Sequence, residues 1–557
     1  MDLRRRFRRW LCLCLWACPA LAPARPGQVV STIAAPSKNI TGMAYDGKWL
    51  WLADHRLDRL FGIDPATGAV QKTLPAPGYR PAGLAFDGEQ LWCVDAREQA
   101  AFRMRTSDGR VTRVVPVYAN TPWGISPRAI AWDGSALWVS DDARSRLQRA
   151  DPQDGTVLRE IPFPAQSVDG LAWDGRYLWV SDRLADKLFA VEPESGEVVI
   201  ALAAPGPHAT GLAWDGKYLR VADYQKDAID SVVRDDAEFV EYGPATERWV
   251  VFSHQVRNFG PDSVLDLESL LALPADLDSQ KLLSAPELFP AGSSLVSDQF
   301  GQKAARFFRA LLAPGQAAES RLKVRVRTRE VRHHIYPEKV AAGSPPAELR
   351  RLYLTDAPKL DIKNPVIVRA VAEAVGAEKN PYWVARRIFR YIHQRMHYER
   401  VGGWDTAPQV LSRGSGSCSE YTFVFMSMCR AAGIPARYAG ALVVRHDQAS
   451  FDDVFHRWVE IWLPPYGWIP VDPSRGDKPS EAERADAFGH LGDDFLITTV
   501  GGGGSTLLEW NYNANERFQC QGRCRVEVEA LADWSPDDPD APPASSAVTA
   551  PPAPSAP

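Results

Sequence analysis

Gly170-Leu-Ala-Trp-Asp-Gly175 is one of five near-copies of a six-residue phrase, the others beginning at Gly42, Gly83, Ala129 and Gly211. Their aspartates, Asp46, Asp87, Asp133, Asp174 and Asp215, stand 41, 46, 41 and 41 residues apart. A fixed period near 40 marks a chain built from stacked structural repeats. Each Asp-Gly lies between alternating apolar runs, where a type I′ hairpin turn with φ > 0 at both central positions is expected. The second strand then reads Leu50-Trp51, Leu91-Trp92, Leu137-Trp138 and Leu178-Trp179, closing on Asp54, Asp95, Asp141 and Asp182. A second turn follows at Asp64-Pro65, Asp151-Pro152 and Glu192-Pro193. Two hairpins per repeat predict a four-stranded unit.

The ends of the repeat region predict how it closes. Gly27–Pro36 aligns without gaps on Gly196–Pro205, a fourth strand, whereas the last repeat loses the pattern after a third strand at Ala228 to Arg234. The N-terminal strand, residues 28–35, should therefore complete the final unit, closing a ring and removing its free edges. The expected form is a five-bladed β-propeller over residues 27–236, which resembles the YWTD, NHL or YncE type. Its repeated Trp residues read as inter-blade packing and its repeated Asp residues as turn caps, because bulky aromatics at every repeat serve packing.

At 557 residues and 61.6 kDa the chain is too long for one core. A hydrophobic content of 45% with 24% charged residues excludes wholesale disorder. A net charge of -5 gives no case for a nucleic-acid partner. Arg4, Arg5, Arg6, Arg8 and Arg9 precede a short apolar run from Trp10 to Leu21, with small residues at Ala20, Ala22 and Ala24. This predicts a signal peptide over 1–24 and export to the periplasm or beyond the cell, with no transmembrane span. Leu15-Trp-Ala-Cys18 resembles a lipoprotein box, but Trp at its second position departs from the pattern, and anchoring at Cys18 is not the expectation. Beyond the leader stand Cys93, Cys418, Cys429, Cys520 and Cys524. Cys520 and Cys524, four apart, are expected to form a local disulfide in an oxidising compartment. The odd count leaves room for a reactive thiol.

Residues 237–345 lack the repeat and alternate instead, as at Trp249 to Arg257 and Leu322 to Val331, predicting a β-sandwich linker. His333-His334 reads there as solvated surface. Helices are expected from about Pro365, with Asn380-Pro381 capping a second one. His393 and His397 stand four apart along that helix, but without a third ligand no metal is expected. No cofactor is expected either. Residues 535–557 read as a disordered tail.

The chemistry concentrates between Gly414 and Pro473. A Gly/Ser stretch leads into an apolar helical run starting at Cys418 and stopped by Gly433 and Pro435. A thiol at a helix N-terminus is favoured as thiolate by the dipole and free N–H groups. Cys429, three turns on, should be an inert core thiol. Val454 to Trp462 alternates as a strand carrying His456, and Trp468 to Pro473 is its hairpin partner carrying Asp472. A thiol nucleophile needs a base that also protonates the leaving amine, and that base needs a carboxylate to orient it. Cys418, His456 and Asp472 supply those roles in that order.

Gly416-Ser-Cys-Ser-Glu-Tyr421, Arg430-Ala-Ala-Gly-Ile-Pro-Ala-Arg437, His456-Arg-Trp-Val-Glu460 and Gly467-Trp-Ile-Pro-Val-Asp-Pro473 together resemble the transglutaminase-like, papain-type superfamily. The resemblance covers roughly residues 350–515 and implies an α+β core, here assigned to 346–534. It implies Cys418 as nucleophile, His456 as base and acid, Asp472 as orienting carboxylate, and an upstream side chain, placed at Tyr398, beside the oxyanion. The substrate expected is a peptide or glutamine amide of a protein. Hydrolysis is favoured over transfer to an amine, with a non-catalytic binding scaffold as the reading from another class. The propeller is expected to bind a protein partner or ligand, and a fragment of residues 237–534 to keep the thiol chemistry.

Overall fold

The computed structural model describes residues 25–117, 127–235, 239–400, 404–445, 450–452 and 455–540. The leader with Cys18, the 236/237 boundary and residues 541–557 of the tail lie outside them.

The chain is mostly β. Residues 29–233 form five four-stranded antiparallel sheets. In the first four, the strands follow chain order, as in Ile40–Tyr45, Leu50–Asp54, Arg59–Ile63 and Val70–Pro75. The fifth takes Val29–Ala34 as its outer strand, paired antiparallel with Ala228–Val233. The first strands of successive sheets touch in sequence, and the last, Ala209–Trp214, returns to Ile40–Tyr45. The result is a propeller-like ring.

The repeat turn differs from expectation. Positive φ falls on Gly47, Gly88, Gly134, Gly175 and Gly216 but not on the preceding aspartates. Each loop thus has glycine alone at its first central position, the pattern of a type II′ turn. The aspartate instead works through its side chain. Asp46 Oδ1 accepts from the backbone N–H of Lys48 and Trp49, while Oδ2 accepts from Trp51 Nε1 at 2.7 Å. Asp87–Trp92, Asp133–Trp138 and Asp174–Trp179 repeat the pairing at 2.9, 3.1 and 2.8 Å. The buried indole N–H needs an acceptor, and the turn carboxylate provides it. In the fifth repeat Arg220 replaces Trp and meets Asp215 at 2.6 Å.

Beyond the ring, Val240–Asn258, Ala317–His333 and Val526–Ser535 form the centre of a seven-stranded sheet. A four-stranded sheet, in the order Ser294–Ser297, Lys303–Leu312, Val264–Ala272 and Ala514–Cys520, packs on it through Phe252, Leu271, Phe307, Leu322 and Val324. Strands 514–520 and 526–535, expected in the C-terminal core, complete both sandwich sheets instead. Asp538 and Asp540, at the start of the expected disordered tail, contact Lys323 at 2.5 and 2.7 Å. His334 is also corrected: it is buried, with Nε2 3.1 Å from Glu241 Oε2, because the strand pairing brings that carboxylate across.

Between these sandwich strands the chain builds a core of helices against a sheet ordered 467–471, 455–463, 436–443, 495–501. Helix Cys418–Ala431 runs through its middle, with every residue from Ser419 to Arg430 buried, as suits a helix packed on all sides. Helix Pro381–Arg395 packs beside it, N-capped by Asn380, whose side chain accepts from Tyr382 N–H. It stops at Arg395, so His397 is not on it. His397 lies on a two-residue strand, exposed, and no metal-binding group of three occurs among the described residues.

Candidate active site

Cys418 opens its helix on a well-built cap. Ser417 and Glu420 form a reciprocal capping box, and Glu420 also accepts from Arg413 Nη2 at 2.7 Å. The preceding Ser415-Gly416 is no loose loop: it pairs in parallel with His397-Tyr398, so that Tyr398 sits opposite Gly416. The thiol therefore stands at a fixed helix end.

His456 lies near the start of strand Phe455–Leu463, and Asp472 directly follows the paired strand Gly467–Val471. His456 Nε2 and Asp472 Oδ2 are 2.6 Å apart. The Cys418 thiol is close enough to this imidazole that each shifts the other's titration. Asp472 Oδ1 accepts three further bonds, from Ser474 Oγ and the backbone N–H of Ser474 and Arg475. A carboxylate so held is fixed in position and favoured as the anion.

The electrostatics follow from that geometry. Burial pushes the Cys418 thiol up, but its hydrogen bond to His456, the charge of His456 and that of Arg457 bring it below the ordinary thiol value. Burial opposes a charged imidazole, yet the Asp472 charge and hydrogen bond, with Cys418, raise His456 to about 10. Asp472 is held below the usual carboxylate range by His456 against the cost of burial. A Cys⁻/His⁺ pair at neutral pH is the arrangement this favours. Cys429, in contrast, is wholly buried and burial alone pushes its thiol up.

Tyr398 is half exposed, and burial and the Cys418 charge both raise its phenol. Its backbone N–H donates to Asp477 Oδ2 at 3.1 Å. Three neighbours were not assigned to this site from the sequence. Burial and the Cys418 charge push the Tyr512 phenol up. A Cβ at Gly440 would stand 2.4 Å from Tyr512 Cβ, so only glycine admits this ring. His393 Nε2 lies 2.8 Å from the Pro473 carbonyl, beside the turn that follows Asp472.

Arg457 is the third. Its guanidinium is fully buried, with the rings of Tyr512, Tyr438, Trp404 and Phe423 at 4.3, 4.6, 5.2 and 5.3 Å. Nη2 donates to the Trp510 carbonyl, while Nε and Nη1 have no hydrogen-bond partner among the described residues. Aromatic faces compensate such a cation in part. An arginine within an alternating apolar strand was the signal available in the sequence. Away from the site, Cys520 and Cys524 are joined as a disulfide.

Residues 369–473 match the transglutaminase-like superfamily. A protein-glutamine gamma-glutamyltransferase from Pseudomonas aeruginosa is 37% identical over 116 residues, 18% of this chain and 17% of that protein. The chain thus matches under a fifth of that relative's length. Among solved structures, a candidate cysteine protease from Cytophaga hutchinsonii is 14% identical, with a TM-score of 0.39, over 52% of this chain and 92% of its own. Myxococcus xanthus glutaminyl cyclase is 15% identical, with a TM-score of 0.33, over 39% of this chain and all of its own.

Proposed function

We propose that this chain, which carries a transglutaminase-like domain, is an exported thiol enzyme acting on peptide or glutamine amides through Cys418, His456 and Asp472. In this reading residues 27–236 are a five-bladed propeller that binds a protein or ligand, followed by a sandwich and the catalytic core. The observation that carries the proposal is the Nε2–Oδ2 contact of 2.6 Å on an imidazole electrostatically paired with a thiol at a helix N-terminus.

The thiolate of Cys418 attacks the amide carbonyl carbon, and the oxyanion forms beside the Cys418 helix end and Tyr398. The C–N bond breaks as the His456 imidazolium gives its proton to the leaving amine. Water then attacks the thioester and gives a proton to His456. The C–S bond breaks, releasing acid and restoring the Cys⁻/His⁺ pair. Asp472 keeps Nε2–H pointed at itself and stabilises the imidazolium. The partial exposure of Cys418 and Tyr398 supports water as acceptor. Transfer to an amine is the second reading, supported by the gamma-glutamyltransferase named above.

A glutamine peptide incubated with and without a primary amine tests both. Free acid and ammonia in both tubes support hydrolysis, and an amine adduct supports transfer. Absence of any Cys418 thioester in rapid-quench mass spectrometry sinks the enzyme reading.

A further inference from the structure

One end of the propeller-like ring opens into a cavity of about 450 Å³, in the size range of small-ligand sites. The residues that line it occupy equivalent positions in the five repeats. The position before the first-strand phrase carries Thr41, Ala82, Arg128, Asp169 and Thr210. The position after the second-strand aspartate carries His55, Ala96, Asp142, Arg183 and Tyr224, of which all but Asp142 line the cavity. Toward the opposite end the same first strands present their repeated Ala and aromatic residues, and the space there shrinks to about 80 Å³. Packing explains positions that repeat. It does not explain polar, charged and dissimilar side chains gathered at one mouth of a repeating scaffold.

The charges there are unbalanced. Asp169 Oδ1 lies 3.4 Å from Arg128 Nη1 and 3.3 Å from Arg183 Nε, so one buried carboxylate serves two guanidiniums. Arg128 also stands 3.6 Å from Asp142. Arg80, on the same cavity wall, makes no side-chain hydrogen bond or ion pair among the described residues. Arg80 is therefore the guanidinium of this mouth whose side chain is not spent on a carboxylate of the described residues. His55 Nδ1 faces the Asn39 carbonyl at 3.3 Å, which directs its N–H there and leaves Nε2 as an acceptor.

We propose that this mouth binds the carboxylate of a peptide, with Arg80 as its principal partner. A guanidinium fork matches a carboxylate in two parallel hydrogen bonds. The Nε2 acceptor of His55 suits the neighbouring peptide N–H. The carboxylate comes from a chain terminus or from an acidic side chain. This rests on reading the ring as a binding module and is separate from the thiol chemistry.

The test uses the full chain with Cys418 blocked by iodoacetamide, to prevent turnover. Three fluorescein-labelled peptides are titrated by anisotropy: Gly-Ser-Gly-Ala-Ala as the free acid, the same peptide as its C-terminal amide, and an amide-ended version with an internal Glu. Binding of the free acid alone assigns a chain terminus, and binding of the Glu peptide assigns a side chain. In either case Arg80→Gln and, separately, Arg183→Gln should weaken binding by roughly tenfold or more, as for loss of a charge-assisted pair. Binding of the plain amide peptide as tight as that of either carboxylate-bearing peptide, no binding of any peptide, or wild-type affinity in Arg80→Gln would overturn the proposal. Displacement by phosphate at lower concentration than acetate would overturn the carboxylate assignment. Labelling of Cys418 in unblocked wild-type protein is scored separately. Peptide binding without labelling counts against the thiol reading alone, and labelling without peptide binding counts against this one alone.

Discussion

Replacing Asp472 by Asn removes a charge while keeping a side chain of nearly equal shape. In the native site that charge is the leading influence raising His456, from its ordinary 6.5 to about 10, and burial acts against it. Without it, burial disfavours the imidazolium, and its value falls. Cys418 depends in turn on that imidazolium to stay below the ordinary thiol range. The sign is therefore fixed: native alkylation persists to lower pH than a free thiol allows, because the imidazolium holds the thiolate. In Asp472→Asn the acid limb moves up in pH. Each pH unit of movement in the acid limb is a factor of ten in thiolate, or about 1.4 kcal/mol. If half of the rise in His456 is lost, iodoacetamide reactivity near pH 6 drops by roughly tenfold to a hundredfold. The assay follows alkylation rate against pH, with peptide mass mapping to restrict the signal to Cys418. The acid limb belongs to the coupled pair and whole profiles are compared. An Asp472→Asn profile superimposable on wild type would refute the argument and move the orienting role to another group.

Arg457→Met should retain the cage volume but remove a positive charge that lowers Cys418, so the acid limb of alkylation rises in pH while the thiol stays intact by mass. Tyr398→Phe should slow thioester formation by about tenfold to a hundredfold, read by single-turnover quench, if its hydroxyl donates to the oxyanion. Glu197 in the ring pairs with the buried Arg386 at 3.1 Å and with Arg390 at 2.9 Å. Glu197→Ala leaves Arg386 buried without its countercharge and should cost about 3–5 kcal/mol in urea unfolding.

Local signals carried most of what the sequence revealed. The repeat was legible because each sheet needs the same small set of packing and turn residues in a short span. The match of Cys418, His456 and Asp472 was legible because a helix start and one hairpin supply all three. What stayed hidden depends on chain segments far apart. Strand 514–520 joins a sheet whose other strands lie more than 180 residues earlier, and strand 526–535 pairs with 240–258 from as far back; nothing local distinguishes them from strands of the core. His334 looked like surface because its partner, Glu241, arrives through strand pairing. Tyr512 reaches the site from beyond the matched motifs, beside a glycine whose purpose appears only when the ring is seen against it. The Asp–Trp bond of each repeat was within reach, since Trp stands five residues after Asp in four copies and Arg220 takes its place in the fifth.

These long-range joints also bear on whether the ring is an accessory. The sequence alone suggested that residues 237–534 would keep the thiol chemistry without it. Glu197 meets Arg386 and Arg390 on the helix that ends at Arg395, and Arg386 Nη2 donates to the Val198 carbonyl. On that same helix His393 meets the Pro473 carbonyl, next to Asp472. A second contact, from Ala482 N–H to the Pro164 carbonyl at 2.9 Å, holds helix Glu481–Asp486 against the ring. That helix closes the segment beginning with the Asp472 turn, and Ala487 O accepts from Asp472 N–H. Removing the ring would thus free both supports of the turn that carries the carboxylate. Ordering a turn costs conformational entropy that only fixed neighbours offset. The ring is therefore better understood as part of the scaffold of the Asp472 side than as a detachable binding module, and its open mouth is a second task of the same structure.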